Sequence, residues 1–181
     1  MTMKLRVDDI TAESRDLSFA EPEQEINRAL AKGPISEYQL VRPVQVELAY
    51  YRAGTELFLQ GAVEAAMRAN CARCAEDFST TTRRSFRYVL APKSIGGDET
   101  ETDLRQEDLE FTLYDGDAID LSPLVREQVL LALAERPLCR EDCAGLCARC
   151  GANLNQGRCD CRAETPDPRL AVLRSLKVGR A

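Results

Sequence analysis

The strongest constraint on this chain is a set of eight cysteines, in four close-set pairs, accompanied by no histidine. They are Cys71, Cys74, Cys139, Cys143, Cys147, Cys150, Cys159 and Cys161. The N-terminal segment MTMKLRVDDITAESRD mixes Lys4 and Arg6 with Asp8, Asp9 and Glu13 and has no apolar core, so it does not read as a secretory leader. No apolar run exceeds the six residues 129–134, well short of the ~20 that cross a bilayer. The expectation is a soluble, cytoplasmic protein, not associated with membrane, in a reducing compartment. There, clustered cysteines mark metal ligation more often than crosslinking. Without His, any site is all-thiolate or thiolate plus carboxylate, and His-dependent triads and mixed Cys/His zinc sites are excluded.

Spacing divides the eight into two fours. Zinc favours tetrahedral thiolate coordination, and a two-residue gap lets both sulfurs of a Cys-x-x-Cys turn reach one ion. Cys147-Ala-Arg-Cys150-Gly151 is such a knuckle, with a glycine that lets the backbone turn its amides toward the sulfurs. Past the polar loop GANLNQGR, Cys159-Asp-Cys161 offers two more thiolates. These four form one expected site. The remaining four, Cys71, Cys74, Cys139 and Cys143, form a second, with the last two brought together by a helical turn or a loop of similar reach. The expected cofactor is therefore zinc, two ions with four thiolates each. Three other readings stay open: Cys143 joining the first set and leaving a single site, iron or an iron–sulfur cluster in place of zinc, and ordinary buried or reactive thiols.

The rest of the 181 residues has globular composition, 44% apolar and 30% charged. Residues 22–32 open on Pro22 and stop before Gly33-Pro34, which predicts a short, peripheral helix. VQVELAYY (44–51), a turn at Ala53-Gly54 and ELFLQGAVEAAMRAN predict a β-hairpin, the Ala-rich part also being compatible with a helix. FSTTTRRSFRYVLAP predicts a strand with Phe78, Thr80, Thr82, Arg84, Phe86, Tyr88 and Leu90 on one side. Residues 93–108 carry six acids and a Gly-Gly pair and read as a solvated loop. LEFTLYDGDAIDL gives a strand with a turn at Asp115-Gly116. It leads to a helix capped by Ser122, begun by Pro123 and closed by Pro137, whose VLLALA half is apolar all round and expected to be deeply buried. Asp167 and Pro168 open a last helix with Leu170, Leu173 and Leu176 near one face.

The fold class that follows is α+β, a mainly antiparallel β-sheet core with a buried helix packed across it and a C-terminal cysteine-rich zinc module. The expected domains are a core over 1–138, the cysteine module over 139–165, and a short helix and tail over 166–181. Charge is uneven along this order. From residue 136 onward nine Lys/Arg face five Asp/Glu, whereas the first 135 residues hold 15 against 25.

The order of motifs resembles a known family. Cys71-Ala-Arg-Cys74, IDLSPLVREQVLLAL (119–133), LCREDCAGLCARCGANLNQGRCDC (138–161) and DPRLAVLRSLK (167–177) are similar to the YceD family of large-ribosomal-RNA accumulation proteins. The resemblance spans about residues 40–178. It implies a role in processing or accumulation of large-subunit (23S) ribosomal RNA, with the eight cysteines as metal ligands. The implied partner is pre-ribosomal large-subunit RNA or a ribosomal protein. Candidate phosphate contacts are Arg140, Arg149, Arg158, Arg162, Arg169, Arg174 and Lys177.

No Gly-rich phosphate cradle, histidine base or open metal position argues for catalysis, and no small-molecule substrate is evident. The leading expectation is a non-enzymatic ribosome-biogenesis factor with structural zinc. The alternatives are a zinc–thiolate redox sensor, whose thiolates would draw on Arg73, Arg140 and Arg149 nearby, and a zinc-ribbon nucleic-acid-binding regulator.

Overall fold

The computed structural model of the chain describes residues 3–33, 37–93 and 111–161. The described strands are β1 (Lys4–Arg6), β2 (Arg15–Glu21), β3 (Tyr38–Leu40), β4 (Val44–Ala53), β5 (Glu56–Asn70), β6 (Asp77–Pro92), β7 (Phe111–Tyr114) and β8 (Ala118–Asp120). The helices are α1 (Glu23–Lys32) and α2 (Leu121–Ala132). Six strands form one sheet in the order β2-β4-β5-β6-β7, with β3 also paired to β5. Neighbours run antiparallel except β6 and β7, which are parallel. A small ribbon of β1 and β8 completes the fold. The α+β architecture read from the sequence is the one observed.

The sheet is organised by β5. Its Leu57, Leu59, Val63, Ala65, Met67 and Ala69 are all buried at alternate positions, a period of two that fits a strand and not a helix. That settles the Ala-rich stretch as strand, with β4 on one side and β6 on the other. The hairpin turn falls at Gly54, whose φ of 64° suits glycine, and Thr55, one residue later than expected. β6 follows the predicted alternation, its Phe78, Thr80, Thr82, Phe86 and Tyr88 half-buried and Leu90 buried, while Arg84 of the same set is exposed and donates Nε to Gln128 Oε1 at 3.1 Å.

Both helices cover the same sheet face. Ile26 and Leu30 of α1 and Val125 and Val129 of α2 enter one core with Tyr38, Leu40, Val44, Val46, Val63 and Met67. The first helix is therefore not peripheral: Ile26 and Leu30 are each 2% exposed. Asn27 fastens it further, giving Nδ2 to the Leu40 carbonyl at 3.0 Å and taking the Leu40 amide at 2.8 Å. A second cluster under the other end of the sheet joins Leu5 and Ile10 to Leu48, Leu57, Leu59, Leu90, Ile119 and Leu121.

Helix α2 differs from expectation at both ends. Its cap is Asp120, whose carboxylate accepts from the Ser122 amide at 3.0 Å, because β8 runs straight into the helix and leaves Ser122 already inside the first turn. The helix stops at Ala132, and Tyr38 donates its hydroxyl to the Ala134 carbonyl just beyond at 2.9 Å. Among the described residues only one side of the VLLALA half is covered. Val129 is fully buried, but Leu131 is 54% exposed, since α2 has the sheet on one face only. Polar contacts hold it in place: Gln128 Nε2 to the Tyr88 hydroxyl at 2.6 Å, and the Thr82 hydroxyl to the Ala132 carbonyl at 3.3 Å. The predicted acidic loop, apart from Lys93, and the predicted C-terminal helix lie outside the described residues.

Gly61 lies against the backbone of β4 at Glu47 and Leu48. A Cβ there would stand 2.1 Å from the Glu47 carbonyl oxygen, so a methyl group forces the strands apart. Gly61→Ala is expected to destabilise the chain by about 1–3 kcal/mol, read as a lower midpoint in urea unfolding.

Candidate metal centres

The long β5–β6 hairpin ends in the loop 71–76, and this loop is the first cysteine knuckle. Cys71 and Cys74 stand at its tip, where they meet the segment that leaves α2 and carries Cys139 and Cys143. The Ala72 amide donates to the Pro137 carbonyl at 2.8 Å, and Arg73 Nη1 donates to the carbonyls of Glu141 and Cys143 at 3.1 and 3.0 Å. All four sulfurs lie within 4.8 Å of one another. Cys71, Cys74 and Cys143 are buried, Cys139 is half-buried, and Phe78 and Leu138 pack against them.

The distances match a specific geometry. Four sulfurs about 2.3 Å from a tetrahedral ion stand about 3.8 Å apart. Cys71 Sγ to Cys143 Sγ and Cys74 Sγ to Cys139 Sγ are both 3.8 Å. Cys139 and Cys143 are joined by a turn, the Cys143 amide donating to the Arg140 carbonyl at 3.2 Å, and not by a continuation of the helix.

The second group is Cys147, Cys150, Cys159 and Cys161, again within 4.8 Å of one another. It is closer to solvent: three are half-buried and Cys150 is exposed. Its knuckle repeats the first in sequence, Cys-Ala-Arg-Cys, and in backbone. The residue after each second cysteine is left-handed, Ala75 at φ 58° and Gly151 at φ 73°. In each, that residue's amide donates 2.8 Å to the carbonyl of the first cysteine, Ala75 to Cys71 and Gly151 to Cys147. In each, the first cysteine's own amide donates to the residue two beyond the pair, Cys71 to Glu76 at 2.9 Å and Cys147 to Ala152 at 2.8 Å. Such a turn aims successive amides at the sulfurs, as a thiolate site requires.

The two groups touch. The Leu146 amide donates to the Arg73 carbonyl at 3.0 Å, and Asn153 Nδ2 donates to Glu76 at 3.2 Å. Gly145, at φ 73°, packs so close to Arg73 that a Cβ would stand 3.0 Å from its carbonyl oxygen. Asn155, between Cys150 and Cys159, donates Nδ2 to Cys143 Sγ of the other group at 3.3 Å. Sequence reasoning took this loop as a polar spacer and missed both asparagines; a spacing argument sees ligands and not the donors around them.

Charge explains what the arrangement wants. Burial pushes Cys71 up, but hydrogen bonds from the backbone of Cys139, Cys74 and Arg73 outweigh it and hold the thiol at about 6. Hydrogen bonds from the backbone of Cys150 and Arg149 bring Cys147 to about 6. Burial and the neighbouring thiols push Cys139 up to about 12, and Cys150, with burial and the other thiols, does the same to Cys161. Four like charges this close do not ionise together without a cation among them. Each group could hold a metal ion, and the all-sulfur donor set suits a soft or borderline ion.

Of the candidate phosphate contacts, Arg140 is engaged locally, giving Nη2 to Asn155 Oδ1 at 2.6 Å and pairing with Asp142 at 3.4 Å. Arg149 and Arg158 are exposed beside the second group. Arg162, Arg169, Arg174 and Lys177 lie outside the described residues. No helix among the described residues is long and apolar enough to cross a membrane.

Fold and site together define a β-sheet protein carrying two four-cysteine clusters at one end of its longest hairpin. The family model for the large ribosomal RNA subunit accumulation protein YceD matches residues 59–177, more than half of the 181 residues, and the chain belongs to that family. It is 27% identical over 164 residues to the chloroplastic large ribosomal RNA subunit accumulation protein YCED homolog 1 of Arabidopsis thaliana, covering 79% of this chain and 51% of that protein. The Zea mays homolog 1 is 29% identical, covering 66% and 49%, and an uncharacterized protein of Mycobacterium leprae is 31% identical, covering 62% and 49%. The chain thus spans about half the length of these curated relatives. No solved structure matches it.

The paired knuckles make a backbone prediction. Ala75 is exposed and left-handed, so Ala75→Gly removes strain without losing packing and is expected to stabilise the chain by about 1 kcal/mol. Gly151 has open space where a Cβ would go, so Gly151→Ala carries only the backbone penalty and is expected to destabilise by about the same amount. Thermal unfolding midpoints moving in opposite directions are the check.

Proposed function

We propose that this protein is a non-enzymatic ribosome-biogenesis factor that supports processing or accumulation of large-subunit ribosomal RNA. Two structural zinc ions, held by the eight cysteines, shape its contact surface. The observation that carries the reading is family membership over residues 59–177. The clusters support the zinc part: each has four sulfurs within 4.8 Å, and the two 3.8 Å sulfur separations of the first suit a tetrahedral thiolate site. Nothing in this donor set leaves an open position for substrate, since every sulfur of each four is needed to complete the tetrahedron.

In this reading the ions act through folding. Structural zinc in small peptides contributes apparent free energies of roughly 10–16 kcal/mol per ion near neutral pH. The first cluster applies that gain to holding the hairpin tip against the exit of α2. The partner is pre-ribosomal large-subunit RNA or a ribosomal protein, met in the cytoplasm or an equivalent ribosome-containing compartment.

Elemental analysis of protein purified under reducing conditions is expected to give about two zinc per chain; about one would favour a single site. Tagged protein is expected to sediment with large-subunit precursors, and a deletion strain to accumulate less mature large-subunit RNA. Normal ribosomal RNA together with no co-sedimentation would remove the proposal. One observation favours redox sensing as a second reading: Cys150 is exposed in the second cluster, where an oxidant reaches it first. Zinc content unchanged after mild peroxide would dispose of that reading.

A further inference from the structure

The surroundings of the first cluster are supplied in part by the loop that closes the second. Asn155 sits in the eight-residue span between Cys150 and Cys159, so both ends of its loop are tied to ligands of the second cluster. Its side chain, however, serves the first. Nδ2 donates to Cys143 Sγ at 3.3 Å, while Oδ1 accepts from the Ala144 amide at 2.8 Å and from Arg140 Nη2 at 2.6 Å. One amide thus grips the sulfur of Cys143, the backbone next to it, and the side chain next to Cys139. The loop aims this amide through its own turn, Asn153 Oδ1 accepting from both the Asn155 amide at 3.0 Å and Asn155 Nδ2 at 2.9 Å.

We propose that Asn155 is a positioning residue that couples the two clusters, so that an ion in the second tightens the hold of the first on its own ion. The inference rests on the metal reading above. A thiolate that receives an N–H hydrogen bond disperses part of its charge, which matters most where four sulfurs share one divalent ion. An ion in the second cluster fixes both ends of the 151–158 span and so delivers the donor already oriented. Without that ion the same hydrogen bond must first order the loop. By linkage the effect is reciprocal: loading the first cluster favours loading of the second.

The test is zinc transfer from the full chain to a chromogenic chelator, with cobalt(II) substitution as a spectroscopic probe. Cys159→Ser combined with Cys161→Ser removes the second centre and leaves one ion. That ion is expected to leave about 10–100-fold faster than the corresponding phase of the wild type, the range typical for loss of an outer-shell partner. Asn155→Asp keeps the acceptor for Arg140 and Ala144, removes the N–H donor to Cys143 Sγ and Asn153 Oδ1 and adds a negative charge, for which the uncharged Asn155→Ala is the control. Asn155→Asp is expected to start with two ions, to show the same acceleration, and to move a thiolate-to-cobalt charge-transfer band to lower energy. A general loss of stability would not move that band. If the ion left in the double serine variant departs at the wild-type rate, and Asn155→Asp changes neither rate nor spectrum, the coupling is overturned while the metal reading stands. Wild-type protein that takes up no thiolate-bound cobalt overturns both.

Discussion

The structure depends on one meeting, that of the β5–β6 hairpin tip with the segment leaving α2. Cys71 and Cys143 are 72 residues apart in sequence, and Cys74 and Cys139 are 65 apart. What brings them together is set well away from the sulfurs. Val125 and Val129 seat α2 on the sheet, the Tyr88–Gln128 and Thr82–Ala132 hydrogen bonds fix its position along β6, and Tyr38 holds the chain at Ala134 as the helix ends. From there the chain reaches the hairpin tip, where the Ala72–Pro137 and Arg73–Cys143 bonds close the gap. The second cluster is then hung on the first through the Arg73 carbonyl and the Glu76 carboxylate. An ion in the first cluster would lock an approach that the core has already made, so little of its binding free energy goes to loop closure.

Which features were legible in the sequence follows from what each depends on. The pairs were readable because short cysteine spacing is a local property, and the set 147/150/159/161 because it lies within 15 residues; the set 71/74/139/143 followed as the remainder. The strands β4 and β6 were readable from their two-residue period, whereas the Ala-rich part of β5 stayed compatible with a helix because alanine suits either element and only its burial at alternate positions settles it. The errors came where a neighbour decided the outcome. Ser122 has the residue type of a cap, but β8 ends on Asp120, which offers its carboxylate two residues earlier. Leu131 looked buried because its segment is apolar all round, yet α2 has a sheet on one side and nothing described on the other. Ile26 and Leu30 are spaced to share a helical face, and that pair was the available sign that α1 belongs to the core.

The repeated Cys-Ala-Arg-Cys is informative where its copies differ. Both turn through a left-handed residue, but one copy supplies glycine and the other alanine. The tolerance of Ala75 has a physical cause in its setting. The first knuckle is continuous with two paired strands, Asn70 facing Asp77 in register on either side of it, and its arginine is bonded to the opposing loop. A turn held at both ends can keep an alanine in a conformation about 1–2 kcal/mol above its preference. The second knuckle is flanked by the isolated Leu146–Asn153 bridge and the Leu154–Gly145 hydrogen bond instead of paired strands, and there glycine is used. Backbone chemistry and burial therefore agree that the first cluster is the more constrained of the two.

Electrostatics limits how this end of the molecule meets a partner. Residues 139–161 contain Arg140, Arg149 and Arg158 against Glu141, Asp142 and Asp160, so their side chains other than cysteine balance. A divalent ion held by four thiolates leaves a formal charge of about −2. Two such centres would make the cysteine region distinctly anionic, which opposes attraction to phosphate within a Debye length, roughly 8–10 Å. The basic surplus of the C-terminal quarter lies instead after the last cysteine, where residues 162–181 hold five Lys/Arg against two acids. If ribosomal RNA is the partner, phosphate contacts belong to that stretch, and the metal region contributes shape and hydrogen bonding at short range. If a ribosomal protein is the partner, an anionic platform suits the basic surfaces such proteins carry to hold RNA, and the two chemistries sit side by side in one chain.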